Sequence, residues 1–301
     1  MKIVITGSLG NISRPLSQQL VNEGHTVTVV TSNQKRKTEI ETIGAIPAVG
    51  NVNDSDFLTN VFAEADSVYC MTPPDFSQPD QHEYYRTIAH TYDEAIRNSD
   101  VERVVYLSSY GAHLPSGTGF VTGSYVTEQI LNKIPDIALT HVRPTYFYYN
   151  LKAFVNMIRS VGLIGAVYGG EDKLALVHPR DIASVVAEEL QKQNSGTSIR
   201  YINSDEKTCN EIAEVLGRAI GIPDLKWVTI TKDQALDGLR RGGVPENAAQ
   251  NLVELGLALH SGRLLEDYEQ NKPTFGSVKL NEFAVEFAEI FQNNAANIHV
   301  N

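Results

Sequence analysis

A doubly wound α/β fold with a smaller, mostly helical C-terminal lobe is predicted by three features of the sequence. Short apolar or β-branched runs alternate with helical spacings from the first residue, a glycine-bearing turn joins the first run to the first helix, and the rhythm loosens after Asn150. Strands separated by helices of this length imply βαβ units and a parallel sheet covered on both faces.

In order, Lys2–Thr6 reads as a buried strand and Ile12–Glu23 as a helix on Ile12, Leu16, Leu20 and Val21, closed by Gly24. Thr26–Thr31 is a β-branched second strand, Lys35–Ile43 a helix, Ile46–Gly50 a third strand and Asp54–Phe62 a short helix. Ser67–Met71 is a fourth strand that Thr72-Pro73-Pro74 ends, because proline cannot continue the ladder. Helix Gln81–Asn98, strand Arg103–Ser108, helix Gly123–Asn132 and strand Ile137–Arg143 follow. Leu151–Ser160 looks helical and leads to a glycine-rich passage through Gly162, Gly165, Gly169 and Gly170. Strand Lys173–Val177, helix Arg180–Gln191 and strand Ser198–Ile202 come next. From Thr208 the chain is mostly helical, with one strand at Trp227–Ile230 and a frayed, Asn-rich end over its last ten residues. Residues 1–150 with about 172–205 are assigned to a dinucleotide-binding body, and about 151–171 with 206–301 to a lobe.

Composition narrows the partners. Of 301 residues, 25 are Lys or Arg and 36 Asp or Glu, giving a net charge of −11. Such a surface repels phosphate backbones and anionic lipid, so neither nucleic acid nor a membrane is expected as a partner, although a local basic cluster still holds a small anion. Cys70 and Cys209 form no CxxC, the histidines show no HExxH spacing, and no metal is expected. A cytoplasmic location follows from the cysteine usage and from the apolar run after Met1-Lys2, too short for a signal-peptide core.

The chemistry begins at Gly7-Ser8-Leu9-Gly10-Asn11-Ile12-Ser13, between the first strand and the first helix. Gly7 permits the tight turn and Gly10 the approach of a pyrophosphate. The helix N-terminus supplies unpaired N–H groups, as in a Rossmann fingerprint. Serine replaces glycine at the third position, Ser13, where a small residue is needed for close packing. The strand-two end decides which dinucleotide fits. Thr31-Ser32-Asn33-Gln34 offers no carboxylate for a ribose hydroxyl, and Lys35-Arg36-Lys37 follows at once. Missing acid and present base together point to NADPH over NADH; the bland reading is a solvated start to a helix.

The loop Gly7–Ser13, Ser108-Ser109-Tyr110-Gly111-Ala112, Arg143-Pro144-Thr145-Tyr146-Phe147 and Val177-His178-Pro179-Arg180-Asp181-Ile182-Ala183 resemble the NmrA-like family of atypical short-chain dehydrogenase/reductases. The resemblance runs from residue 2 to about 205, and Phe275–Phe291 is similar to the family's closing helix. It implies cofactor contacts at Asn51 and Val52, at Met71, Thr72, Pro73 and Pro74, at Ser108 to Tyr110, and at Pro144, Thr145, Tyr146 and Phe147. Some members reduce quinones, azo dyes or related acceptors; others sense the nicotinamide pool and regulate protein partners.

The wider superfamily reduces carbonyls with Ser and a YxxxK pair, whose lysine lowers the tyrosine pKa. Here Ser108 is present, but the following helix has Ser124 at the tyrosine position and Glu128 at the lysine position. Tyr125 faces neutral Gln129 one turn on, and a carboxylate would raise a phenol pKa. Ser108, Ser124, Tyr125 and Glu128 are thus the catalytic candidates, without a conventional acid among them. A quinone accepts hydride as a phenolate-like anion that water protonates, whereas a ketone gives an alkoxide that demands an acid. The expected activity is NADPH-dependent reduction of a flat quinone-like or azo-like acceptor; the alternative is a non-catalytic NADP(H) sensor. A nucleotide-sugar epimerase would need the absent Tyr–Lys pair, and no GxSxG elbow supports a hydrolase.

Four further features carry two readings each. Tyr146-Phe147-Tyr148-Tyr149 either walls the nicotinamide or packs the lobe, and Phe120, Val121 and Thr122 in the loop Gly117–Gly123 form a lid or a merely mobile loop. Asp181 reads as a capping or packing residue ahead of a catalyst, and Cys70 as a buried, inert thiol.

Overall fold

The computed structural model describes residues 1–296. Its elements are β1 (Lys2–Ile5), α1 (Ser13–Asn22), β2 (Thr26–Thr31), α2 (Lys37–Thr42), β3 (Ile46–Val49), α3 (Ser55–Phe62), β4 (Ser67–Cys70), α4 (Gln81–Arg97), β5 (Arg103–Leu107), α5 (Val121–Leu131) and β6 (Ala138–Pro144). The second half contains β7 (Tyr146–Phe147), α6 (Val155–Val161), β8 (Leu163–Ala166), β9 (Lys173–Val177), α7 (Pro179–Leu190), β10 (Thr197–Ile202), β11 (Asp205–Thr208), α8 (Cys209–Ile220), β12 (Lys226–Thr229), α9 (Lys232–Arg241), α10 (Glu246–His260), α11 (Glu266–Gln270) and α12 (Leu280–Ala296). Of the last ten residues, expected to be frayed, 292–296 continue helix α12, and 297–301 lie outside the described residues.

Seven strands form one sheet in the order β3-β2-β1-β4-β5-β6-β10, and every pairing is parallel. The strand order reverses at β1, which pairs Ile3 with Val27 on one side and with Ser67 on the other. A crevice therefore opens beyond the carboxyl ends of β1 and β4, where open α/β sheets bind ligands.

Alternation along the strands supplies two cores. Ile3 and Ile5 pack with Leu16, Leu20, Ile182 and Val186, under α1 and α7. Val4, Val68 and Val104 face the other way, onto Leu58, Phe62, Ile88 and Tyr92 of α3 and α4. A third cluster joins Tyr146, Tyr148 and Ile164 to Leu216, Trp227, Phe283 and Phe287 and forms the core of the helical lobe.

Several expectations need correction. The helix expected over Leu151–Ser160 is a 3-10 segment, Tyr148–Phe154, followed by α6. The glycine-rich passage contains strand β8, which pairs with β12. Strand β9 lies in a three-stranded sheet with β11 and β7, outside the main sheet, whereas α7 packs on the main sheet. Phe120–Thr122, read as either a lid or a mobile loop, is not a free loop. Helix α5 already begins at Val121, and a Cβ on Gly119 would lie 2.0 Å from the Asn251 carbonyl oxygen of α10. The closing helix begins at Leu280 rather than Phe275.

Candidate functional site

The crevice floor is the turn between β1 and α1. Ser8 adopts a left-handed φ of 51° and its N–H donates to the Val30 carbonyl at 3.1 Å, tying the turn to β2. Gly7 must lack a side chain, because a Cβ there would stand 2.0 Å from Ser13 Oγ. The third fingerprint position and the first thus pack on each other. Leu9 and Ile12 turn their side chains into the core, while Gly10 and Asn11 are exposed. The Gly10 N–H closes the turn onto the Gly7 carbonyl at 3.3 Å, and the following α1 N-terminus points into the crevice end of the sheet.

The strand-two exit meets this turn directly. Ser8 Oγ donates to Thr31 Oγ1 at 2.9 Å, and Arg36 Nη1 donates to Ser8 Oγ at 3.3 Å. The Asn33 N–H also reaches Thr31 Oγ1, while Asn33 Oδ1 accepts from the Lys35 N–H. Ser32, Lys35 and Lys37 are exposed. Of the three consecutive cations, the structure brings Arg36 alone onto the Gly7–Ser13 turn.

The segment after β4 is held from below. Met71 N–H donates to Thr6 Oγ1 at 3.2 Å, and the Tyr92 hydroxyl reaches the Met71 carbonyl at 2.8 Å. The Tyr84 hydroxyl donates to the Pro73 carbonyl at 2.9 Å. Thr72 is buried, and its hydroxyl has no partner among the described residues. Asn51 is exposed and caps its own turn by accepting from Asn53 N–H at 3.0 Å; Val52 is half-buried against the α3–α4 core. Sequence reasoning passed over Tyr84 and Tyr92, which carry no motif; a helix-interior tyrosine looks like ordinary core until its hydroxyl is placed.

After β5, Ser108 Oγ donates to Glu128 Oε1 at 2.5 Å. Glu128 is 2% exposed and is gripped by Arg143, with Nε on Oε1 at 2.9 Å and Nη2 on Oε2 at 2.6 Å. The remaining guanidinium nitrogen donates to the Tyr201 hydroxyl and to Asp267 Oδ2, both at 3.0 Å. Burial by itself lowers the Arg143 pKa, but the hydrogen bonds and charge of Glu128 outweigh it and hold the guanidinium firmly protonated. Ser108 therefore has its proton committed to Glu128, and both Glu128 oxygens are taken up as acceptors by Ser108 and Arg143. Ser124 is buried, and Tyr125 is half-buried with exposed Gln129 one turn away. Helix α5 also leans on α4 here: a Cβ on Gly123 would fall 2.4 Å from the Tyr85 ring.

The strand-six exit divides the aromatic run. Tyr146 is 8% exposed, and its hydroxyl meets that of Tyr168 at 3.1 Å inside the lobe core. Tyr148 is fully buried and stacks on Phe283 with centroids 5.1 Å apart. Phe147 and Tyr149 point the other way, half-buried, with rings 4.9 Å apart. Two members of the run thus pack the lobe, and two remain available to the crevice. Pro144 and Thr145 are buried, with Thr145 Oγ1 donating to Asn203 Oδ1 at 3.1 Å.

His178 caps α7 through Nδ1, which accepts the Arg180 N–H at 3.1 Å. Asp181 accepts from Ser204 Oγ at 2.6 Å and from the Ser277 and Val278 N–H groups at 3.1 Å, which is packing rather than catalysis. Burial pushes the Cys70 thiol far above its ordinary range. Among the described residues, no cluster of His, Cys, Asp or Glu is arranged to hold a metal ion, and no helix is long and apolar enough to cross a membrane.

A profile of the NmrA-like family matches residues 1–274. The chain belongs to that family. It is 24% identical over 254 residues to an NAD(P)H azoreductase of Xenophilus azovorans, covering 84% of this chain and 85% of that protein. It is 26% identical over 238 residues to a (4-alkanoyl-5-oxo-2,5-dihydrofuran-3-yl)methyl phosphate reductase of Streptomyces griseus, covering 79% and 80%. Among solved structures, an NADPH-dependent quinone oxidoreductase of Escherichia coli complexed with NADPH superposes with a TM-score of 0.78 at 17% identity, covering 94% of this chain and 99% of that one. This NmrA-like protein shares with that enzyme the fold described above.

Proposed function

We propose that this NmrA-like protein is an NADPH-dependent reductase of flat quinone-like or azo-like acceptors that works without a Tyr–Lys acid. The buried Ser108–Glu128–Arg143 chain carries the reading, because Glu128, committed to Arg143, stands where a carbonyl reductase keeps the lysine that activates its tyrosine, and Ser124 stands in place of that tyrosine. The turn Gly7–Ile12 fits a diphosphate, with exposed backbone at Gly10 and no side chain in the way. Arg36, already on Ser8, fits a ribose phosphate better than a ribose hydroxyl. When bound, the nicotinamide supplies the hydride.

The chain's own residues bind, orient and exclude water. Thr6, Tyr92 and Tyr84 fix the Met71–Pro73 backbone, and the half-buried Phe147 and Tyr149 offer flat surface to a planar acceptor. Apposition of the two rings then supplies most of the acceleration, and the product anion takes its proton from water. We assign residues 1–150 with about 172–205 to the cofactor-binding body and the rest to the acceptor lobe, β9 apart. The reductase names of two relatives favour turnover over the sensor reading. Stopped-flow mixing of the NADPH-loaded protein with quinones, azo dyes and simple ketones tests it. Rapid loss of nicotinamide absorbance with the first two classes and none with ketones is expected; ketone reduction, or no oxidation by any acceptor, removes the proposal.

A further inference from the structure

A cavity of about 140 Å³ lies beside the phosphate turn, between Asn11, the segment after β7, the start of α7 and helix α12. Its walls include Asn11, Tyr149, Lys152, His178, Arg180 and Glu286. The volume is too small for a whole acceptor, for which about 300 Å³ or more is typical, so it suits one substituent of a larger ligand. Its chemistry is unlike the rest of this molecule. The chain carries a net charge of −11, yet here two cations face a single carboxylate.

Those cations are poorly satisfied. The Lys152 ammonium makes no ion pair among the described residues and stands over the Phe283 ring, 5.9 Å from its centroid. Arg180 Nη2 is 3.8 Å from Glu286 Oε1, outside hydrogen-bond range, with both side chains about half exposed. His178 adds a fixed donor. Its Nδ1 accepts the Arg180 N–H, so the ring proton sits on Nε2, which donates to Glu286 Oε1 at 3.3 Å from a ring nine-tenths buried. The Glu286 oxygen thus marks where an anionic oxygen rests, and because Glu286 is 43% exposed its carboxylate can swing to solvent and yield the place.

We infer that this cavity is a subsite for an oxyanion substituent of the acceptor (a sulfonate, phosphate or carboxylate), with Lys152 and Arg180 as its specificity-determining residues. The assignment rests on the reductase reading for the word acceptor, but the site itself does not. Tyr149 belongs both to the cavity wall and to the aromatic pair at the crevice, so a planar ring on that pair would place its substituent here.

The test compares naphthoquinone with naphthoquinone sulfonate, titrated against protein saturated with NADP⁺, which cannot reduce either. Tighter binding of the sulfonate, by roughly tenfold for a charge-assisted pair, is expected. Lys152→Met and Arg180→Met should each erase most of that preference and leave the neutral quinone unchanged, while Glu286→Gln should strengthen it. Equal binding of the two quinones, or equal losses on both in the variants, overturns the assignment. So does a loss confined to NADP⁺, which would put the cations on the cofactor's diphosphate. Repeating the comparison with NADPH separates the two readings. A sulfonate preference without oxidation of NADPH keeps the subsite and ends the reductase; oxidation without a preference does the reverse.

Discussion

Arg143 grips Glu128 through two parallel hydrogen bonds, 2.9 and 2.6 Å long, at positions where each side chain is no more than 5% exposed. A pair this deep is costly to desolvate and holds because each charge has its partner, so removing one partner is far worse than removing both. Arg143→Met alone should therefore cost about 3–5 kcal/mol, while Glu128→Leu with Arg143→Met should recover most of it. Urea denaturation of the three variants measures this, and a double variant no better than the worse single one would contradict it.

The contact of Arg36 Nη1 with Ser8 Oγ separates Arg36 from its neighbours. Arg36→Ala should weaken NADPH binding by about 1.5–3 kcal/mol, the range for a hydrogen bond to a charged group, and leave NADH nearly untouched. Lys35→Ala, at an exposed position, should do little to either. Fluorescence titration of both cofactors decides it; equal losses for NADPH and NADH would refute a role in reading the ribose phosphate.

His141 predicts an acid limb in stability. Burial pushes its pKa from 6.5 to about 4; Nε2–H donates to Asn132 Oδ1 at 2.7 Å, and buried Nδ1 has no partner among the described residues. Between those two pH values the unfolded chain binds a proton that the folded chain refuses. Stability from this group is therefore present above about pH 6.5 and falls as pH drops toward 4, by about 3 kcal/mol in all. Chemical denaturation from pH 7 to pH 4 should show that decline, and His141→Phe should flatten it (about 1.4 kcal/mol per pH unit is the steepest slope one group allows).

Asp181 fastens the strap that leads into α12. Its carboxylate accepts from Ser204 Oγ, Ser277 Oγ and the Ser277 and Val278 N–H groups, and Gly276 lies so close that a Cβ would meet Asp181 Cγ at 2.4 Å. Asp181→Ala leaves the buried Ser204 hydroxyl and Val278 N–H without this acceptor, at about 1–3 kcal/mol each for groups that find no water, while exposed Ser277 turns to solvent. Increased proteolysis after residue 270 and a lowered melting temperature are the expected signs, and cofactor affinity should hold, since the Asp181 carboxylate is taken up by Ser204, Ser277 and Val278 and makes no hydrogen bond to the Gly7–Ser13 turn. A variant that keeps its stability but loses NADPH binding would move Asp181 into the site.

Where the local pattern was strong, the elements were readable: β1, β2, β4 and β5 follow from β-branched or apolar runs, and Gly24 ends α1 with a φ of +87°. Strands β8 and β11 were not. Gly165 weakens the first, and Asp205-Glu206-Lys207-Thr208 has no apolar face at all, so each exists only through its partners β12 and β9. The aromatic run Tyr146–Tyr149 was readable as chemistry but not as direction, because a period of two assigns alternate residues to opposite sides without saying which side is the crevice.

The sequence by itself determined the doubly wound sheet, the glycine turn between Gly7 and Ser13, and the lack of a cation one turn beyond Ser124 or Tyr125 in α5, since all three are written in residues close together along the chain. Only the tertiary structure decided that Glu128 belongs to Arg143, that Arg36 rather than Lys35 reaches Ser8, and that Lys152 and Arg180 share a cavity with Asn11. Each of those joins residues from different elements, and charge partners so far apart in the chain are chosen by packing geometry, which no local spacing encodes.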